Sequence, residues 1–152
     1  MLRVPLAGYP VPGFSWLISK ISNNAEKNLE ITQSETFVTL KEILSSTLTN
    51  LSKKKDYFIV DLTVNGIKKL EDNKDVELYL DMLEACLMEA IIKKEDPSYI
   101  AHFYDELISK ISNNYQHIDY MINDITNAKI DLHSNANKNL VFDKLLINLL
   151  RR

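Results

Sequence analysis

The sequence predicts an all-α fold, a compact helical bundle of six to seven helices. Apolar residues recur at helical spacing in segment after segment. Residues that cap, stop and restart helices stand between those segments. Only one stretch, 57–64, is rich in strand-forming residues, and no partner strand for it is evident. The chain has 152 residues, with hydrophobic residues at 45% and charged residues at 26%. That is enough for one domain with a core of its own.

Residues 1–13 are unlike the rest. They hold Pro5, Pro10, Pro12, Gly8 and Gly13 and read as an irregular segment: a tail, a linker or the remnant of a preceding domain. A single helical domain is expected over 14–152. A short helix over 14–23 would anchor through Trp16, Leu17 and Ile21. Thr32-Gln33-Ser34-Glu35 then has capping-box spacing. Phe37, Leu40, Leu44, Leu48 and Leu51 follow on one stripe, which predicts a helix from 33 to 51. The Lys53-Lys54-Lys55 run reads as a solvated turn.

Tyr57 to Val64 is ambiguous, because its β-branched and aromatic residues suit a strand. Its continuation through Ile67 and Leu70 also fits a helix, and a helix over 57–70 is the reading taken. From 73 to 94, Val76, Leu80, Leu83, Leu87 and Ala90/Ile91 share one face, with Lys93 and Lys94 in the last turn. Asp96-Pro97 has the form of a helix start. It leads to a buried face of Ile100, Phe103, Leu107 and Ile111, closed by Asn113-Asn114. The eight residues Leu-Ile-Ser-Lys-Ile-Ser-Asn-Asn occur at 17–24 and again at 107–114. Their flanks do not match, so they read as compositional coincidence and not as a repeat.

The last 38 residues give two more helices. Ile118, Met121, Ile125, Ala128 and Leu132 fall on one stripe. The corner His133-Ser134-Asn135-Ala136-Asn137 follows, built of residues that leave helices and cap new ones. Leu140, Phe142, Leu145, Leu146 and Leu149 line the final helix. Arg151 and Arg152 end it, where positive charge suits the negative end of the helix dipole.

Nothing in this pattern reads as an active site, so the chain is not expected to be an enzyme. The formal net charge of −3 argues against neutralising nucleic-acid phosphates over the whole surface. His102, His117 and His133 match no metal-ligand spacing and read as surface or interface histidines. Asp105-Glu106 and Asp119/Asp124 read as solvated carboxylates on polar faces. Cys86, the one cysteine, allows no internal disulfide and reads as a small buried hydrophobe. There is no Gly-rich phosphate loop, so no nucleotide and no other cofactor is expected. No apolar run is long enough to span a membrane, and prolines interrupt any signal-like segment. A cytoplasmic location is the expectation.

The string Asn135-Ala136-Asn137-Lys138-Asn139-Leu140-Val141-Phe142-Asp143-Lys144-Leu145-Leu146 resembles the last helix of the delta-prime subunit of the bacterial DNA polymerase III clamp loader. There an Asn-x-Asn corner precedes a Leu-x-Leu-Glu-x-Leu-Leu helix. Phe142 stands here for the second Leu and Asp143 for the Glu. The order of elements over about 33–150 is also similar. A Leu-rich helix like Val76–Ile92 comes first, then an acidic-capped helix like Asp96–Ile111. Next is a helix ending in the pattern Ile125-Thr126-Asn127-Ala128-Lys129-Ile130-Asp131-Leu132. Gly13 to Ile21 sits where the family's AAA+ lid ends. One departure is plain: Leu83-Glu84-Ala85-Cys86-Leu87 lacks the Arg-Asp pair that the family often carries.

The resemblance implies the C-terminal collar, a post-AAA+ oligomerisation domain, without the ATPase-like domains. It implies that helix packs on helix to join other clamp-loader subunits in a ring that loads the sliding clamp during DNA replication. By this reading the domain binds no nucleotide, no membrane and, by itself, no DNA. The residues implicated are Asn135 and Asn137 as corner caps. Leu140, Phe142, Leu145, Leu146 and Leu149 would pack on the core or on a neighbour. Two alternatives stay open: a collar domain of the tau/gamma or delta subunit, and an unrelated helical interaction bundle.

Overall fold

The computed structural model describes residues 35–53, 66 and 69–152. Among these residues the fold is helical, with five helices: α1 (Glu35–Lys53), α2 (Asn73–Glu95), α3 (Asp105–Asn114), α4 (Ile118–His133) and α5 (Lys138–Arg151). Five is fewer than the six to seven predicted. The helix expected at 14–23 lies outside the described residues, as does most of the one expected at 57–70. The segment 1–13, the start of the capping box at Thr32 and the lysines at 54 and 55 also lie outside them.

α2 is the hub. Helices α1, α3 and α4 pack directly against it, α1 also packs on α3, and α5 lies on α4. The Tyr79 and Phe142 rings, 5.9 Å apart, join α2 to α5 as well. α2 can hold so many neighbours because its buried face is wide. Val76, Tyr79, Leu80, Met82, Leu83, Cys86, Leu87 and Ala90 are all fully buried, which is more than a single i, i+4 stripe supplies. The predicted stripes of α1 and α4 are buried too. Phe37, Leu40, Leu44, Leu48 and Leu51 face inward from α1, and Ile118, Met121, Ile125, Ala128 and Leu132 face inward from α4. Gly66 fits closely against α1, where a Cβ would come within 3.3 Å of Ile43 Cγ1.

Side chains from neighbouring helices satisfy the backbone groups that helix ends leave without partners. The Tyr115 hydroxyl donates to the Leu51 carbonyl at 3.0 Å, and Asn114 Nδ2 donates to the Ser52 carbonyl at 2.6 Å. The end of α3 thus caps the last turn of α1. Lys94 of α2 donates to the carbonyls of Ser112 and Tyr115, which closes α3 in the same way. Inside the core, Thr47 donates its hydroxyl proton to the Ile43 carbonyl at 2.8 Å. Its oxygen therefore accepts from the Tyr79 hydroxyl at 2.6 Å. The buried phenol has its partner, and burial pushes the Tyr79 pKa well up from its ordinary value.

The helix predicted from Asp96 does not form there. Asp96 ends α2, and its carboxylate accepts from the Ser98 N–H at 3.1 Å and the Ser98 hydroxyl at 2.6 Å. Residues 96–104 are turns and irregular chain, and α3 starts only at Asp105. Tyr104, just before it, has φ 49°. Ile100, predicted to be buried, is 75% exposed. The physical reason is that carboxylates from elsewhere take the backbone donors. Asp105 accepts from the Ala101 N–H at 2.8 Å and Glu89 from the His102 N–H at 3.1 Å. Donors satisfied in this way leave no drive to form a helix.

Leu146 is fully buried on the α5 inner face. Leu146→Ala should cost about 2–5 kcal/mol in urea unfolding. Leu140→Ala, on the opposite face, should shift stability by no more than about 0.5 kcal/mol.

Candidate interaction surface at the Asn corner and last helix

The corner between α4 and α5 works through its two asparagines in different ways. Asn137 is the N-cap: its backbone is extended and its side-chain oxygen accepts from the Leu140 N–H at 3.2 Å. That satisfies one of the free donors of the first turn. Asn135 contributes through its backbone. Its φ is 62°, a left-handed conformation that asparagine tolerates better than most residues. Around it, Ser134 N–H bonds to the carbonyls of Ile130 and Asp131, and Ala136 N–H bonds to Asp131. These bonds close α4 and turn the chain into α5.

α5 then divides sharply into two faces. Phe142, Leu145, Leu146 and Leu149 are buried as predicted, together with Val141, which sequence reasoning did not select. Leu140 is not packed on the core; it is 67% exposed. Helical geometry gives the reason. Leu140 lies about 200° around the helix from Phe142, while Val141 borders Leu145. On the outer side Leu140 is joined by Lys144, Ile147 (40% exposed) and Arg151. Asp143 is half-buried on the flank.

The end of α5 is tied back to α4 by an ion pair that the sequence did not reveal. Asp124, read as a solvated carboxylate, is 6% exposed. Arg152 donates to it from two nitrogens, Nε at 3.0 Å and a terminal nitrogen at 2.7 Å. This two-point geometry matches guanidinium to carboxylate. The guanidinium also lies 5.3 Å from the Tyr120 ring centre, and Tyr120 stacks on His117. Asp124 sits at the margin of the α4 apolar stripe, about 40° from Ala128. That position was the available signal for its burial.

A second polar cluster fastens the 96–104 loop to α2. Glu89, only 1% exposed, accepts from the His102 backbone N–H, lies 2.7 Å from His102 Nδ1, and accepts from the Tyr99 hydroxyl. One turn along α2, Lys93 donates to the Tyr99 carbonyl at 2.6 Å and to Asp105 at 2.7 Å. Glu89 and Lys93 both fall on the apolar side of α2, which is where a sequence signal lay. Burial, and after it the bond to Glu89, raises the Tyr99 hydroxyl to about 12. Asp105, expected to be merely solvated, is therefore a structural anion.

Cys86 is fully buried, and burial pushes its thiol up from the ordinary value, so it sits in the core as a small hydrophobe. His133 is exposed beside Glu77 at 3.2 Å. Among the described residues no group of three or more His, Cys, Asp or Glu side chains could hold a metal ion. Among the same residues no helix is long and apolar enough to cross a membrane. Outward, α5 presents two exposed aliphatic side chains, Leu140 and Ile147, and two basic ones, Lys144 and Arg151.

Asn137→Ala should cost about 0.5–2 kcal/mol of stability by loss of the cap. Asn135→Gly should be tolerated or mildly stabilising, because glycine adopts the left-handed conformation without a Cβ penalty. Urea unfolding of the two variants measures both effects. The hydrogen bond from Lys93, and after it the Ala101 N–H, holds the Asp105 carboxyl below its ordinary range. A lowered carboxyl stabilises the fold above the ordinary aspartate value of about 4, and that contribution is lost as pH falls through the lowered value. Asp105→Asn should therefore flatten part of the acid limb of a stability–pH curve.

No family model matches this chain, no curated protein matches it, and no solved structure matches it.

Proposed function

We propose that this chain is a non-catalytic assembly domain of the clamp-loader collar type, closest in character to the C-terminal domain of the delta-prime subunit. Its task is to pack helix on helix against other clamp-loader subunits in the ring that places the sliding clamp on DNA. The observation that carries the reading is the Asn135–Asn137 corner and the helix it starts. The corner turns the chain through a left-handed Asn135 and caps α5 with Asn137. Within the same motif Leu140 is left outside the core. An exposed leucine two turns from an exposed isoleucine on one face of a helix is the kind of surface a neighbouring helix covers.

The order of helices α2 to α5 supports the same reading, with one qualification. The element expected to be an acidic-capped helix over 96–111 is a loop followed by the shorter α3. The resemblance there lies in position and not in helix length. A collar domain of the tau/gamma or delta subunit is the nearest alternative, and an unrelated helical interaction bundle is the other.

Co-expression with the clamp-loader subunits encoded in the same genome tests the proposal. The chain should co-purify with them. Leu140→Asp should abolish co-purification while circular dichroism and unfolding stay unchanged, because Leu140 contributes nothing to the core. The chain alone should give no heat on titration with ATP. Failure of the unmodified chain to co-purify with any of those subunits would sink the collar reading and leave the generic interaction bundle.

A further inference from the structure

We propose that residues 96–104 form a strap that opens and recloses as one unit over α2, latched by Glu89 and Lys93, while the helices on either side stay in place. The inference stands on the geometry of this segment and does not depend on the collar reading. The backbone gives the strap little hold of its own. Among the described residues, no backbone–backbone hydrogen bond joins residues 97–104 to α2. Within the strap, the Tyr99 N–H donates to the Asp96 carbonyl. Asp96, Pro97, Ser98, Ile100 and His102 are exposed, and of the strap only Ala101 and Phe103 are buried. A segment with so few buried apolar groups and no ladder of backbone bonds opens at lower free energy than the helices around it.

The strap is held down by charged side chains. One Glu89 oxygen accepts from the His102 N–H and lies 2.7 Å from His102 Nδ1, and the other accepts from the Tyr99 hydroxyl. Lys93, one turn along α2, donates to the Tyr99 carbonyl and to Asp105. Asp105 in turn accepts from the Ala101 N–H. The bonds form one connected network from Glu89 to Asp105, so a loss at one end loosens the other. That connection makes the strap open as a unit and not residue by residue. Opening also strands no charge. The strap's donors occupy both Glu89 oxygens, and water takes their place on the carboxylate when the strap lifts.

Both ends of the strap are fixed by contacts outside it. α2 and α3 pack directly on each other, and Lys94 of α2 donates to the Ser112 and Tyr115 carbonyls at the end of α3. The Asp96 N–H is bonded to the Ile92 carbonyl of α2. At the other end the Tyr104 side chain is hydrogen-bonded to Ser45 of α1. Tyr104 is also the hinge. Its φ of 49° lies in the left-handed region, which is unfavourable for a residue with a large side chain. Return to an ordinary φ swings the strap away from α2 and relieves that cost.

Hydrogen exchange of the whole chain, followed amide by amide by NMR, tests the inference. The reporters are the Ala101 and His102 amides, each of which donates to a carboxylate of the network. Their protection factors should agree with each other and lie more than about tenfold below those of Leu83 and Leu87 inside α2. Glu89→Gln keeps the side-chain shape and removes the charge. It should lower the protection of both reporters by about ten- to a hundredfold, the equivalent of one hydrogen bond to a charged group. Ala101 is the decisive reporter, because its acceptor is Asp105 and not Glu89. Lys93→Met breaks the other half of the latch and should lower the same two amides together. In both variants circular dichroism and the protection of Leu83 and Leu87 should be unchanged. The proposal is overturned by strap amides as protected as those of α2, or by strap amides with no protection at all. It is equally overturned if Glu89→Gln moves His102 alone, or if either variant costs Leu83 and Leu87 as much protection as the strap.

Discussion

The bundle depends on the width of the α2 apolar face. A helix that buried only one stripe could hold one or two neighbours. Tyr79, Met82, Cys86 and Ala90 extend the stripe of Val76, Leu80, Leu83 and Leu87, so that α1, α3 and α4 can pack directly on α2 and Phe142 of α5 can reach it. Close packing makes such a face unforgiving of lost volume. It also makes every polar group placed in it answerable. Tyr79 is acceptable at the centre because Thr47 accepts its hydroxyl proton, and Thr47 is free to accept because its own proton goes to Ile43.

The same requirement explains where the charges of the core edge sit. Glu89 is buried on α2 with donors from His102 and Tyr99 on its carboxylate, while Lys93 one turn later carries Asp105 and a carbonyl. Neither residue could be buried alone without a large desolvation cost. Together they hold a segment with no regular structure against a regular helix. Asp124 and Arg152 solve the same problem at the other end of the bundle, where Arg152, just past α5, reaches back to a carboxylate almost sealed within α4. Long-range bonds of this kind make the loops and corners part of the fold.

With the core and its edges satisfied, the outward surfaces of α2 and α5 stand apart. Neither Met88 and Ile92 nor Leu140 and Ile147 contributes to the interior. Exposed single aliphatic residues are ordinary on a protein surface. Here they come in pairs at helical spacing, beside Asp81, Glu84 and Glu95 on α2 and beside Asp143, Lys144 and Arg151 on α5. This is why the functional reading is one of assembly: the described part of the molecule offers helix faces.

Much of the fold was legible in the sequence because helical stripes need no partner to be seen. The stripes of α1, α2 and α4 follow from 3.6-residue periodicity, and the Asn137 cap follows from side-chain chemistry within one turn. The exposure of Leu140 was legible too, since a helical wheel separates it from Phe142, although the string of leucines in the motif suggested otherwise. Tertiary structure decided what depended on groups distant in the chain. Asp96-Pro97 carries a sound local signal for a helix start. It was overridden because Glu89 and Asp105 take the backbone donors of the loop that follows. Asp124 became a buried anion only because folding brings Arg152 to it across 28 positions. Local propensity is a property of neighbouring residues. The satisfaction of a buried charge or a free N–H is a property of whatever the fold brings within about 3 Å.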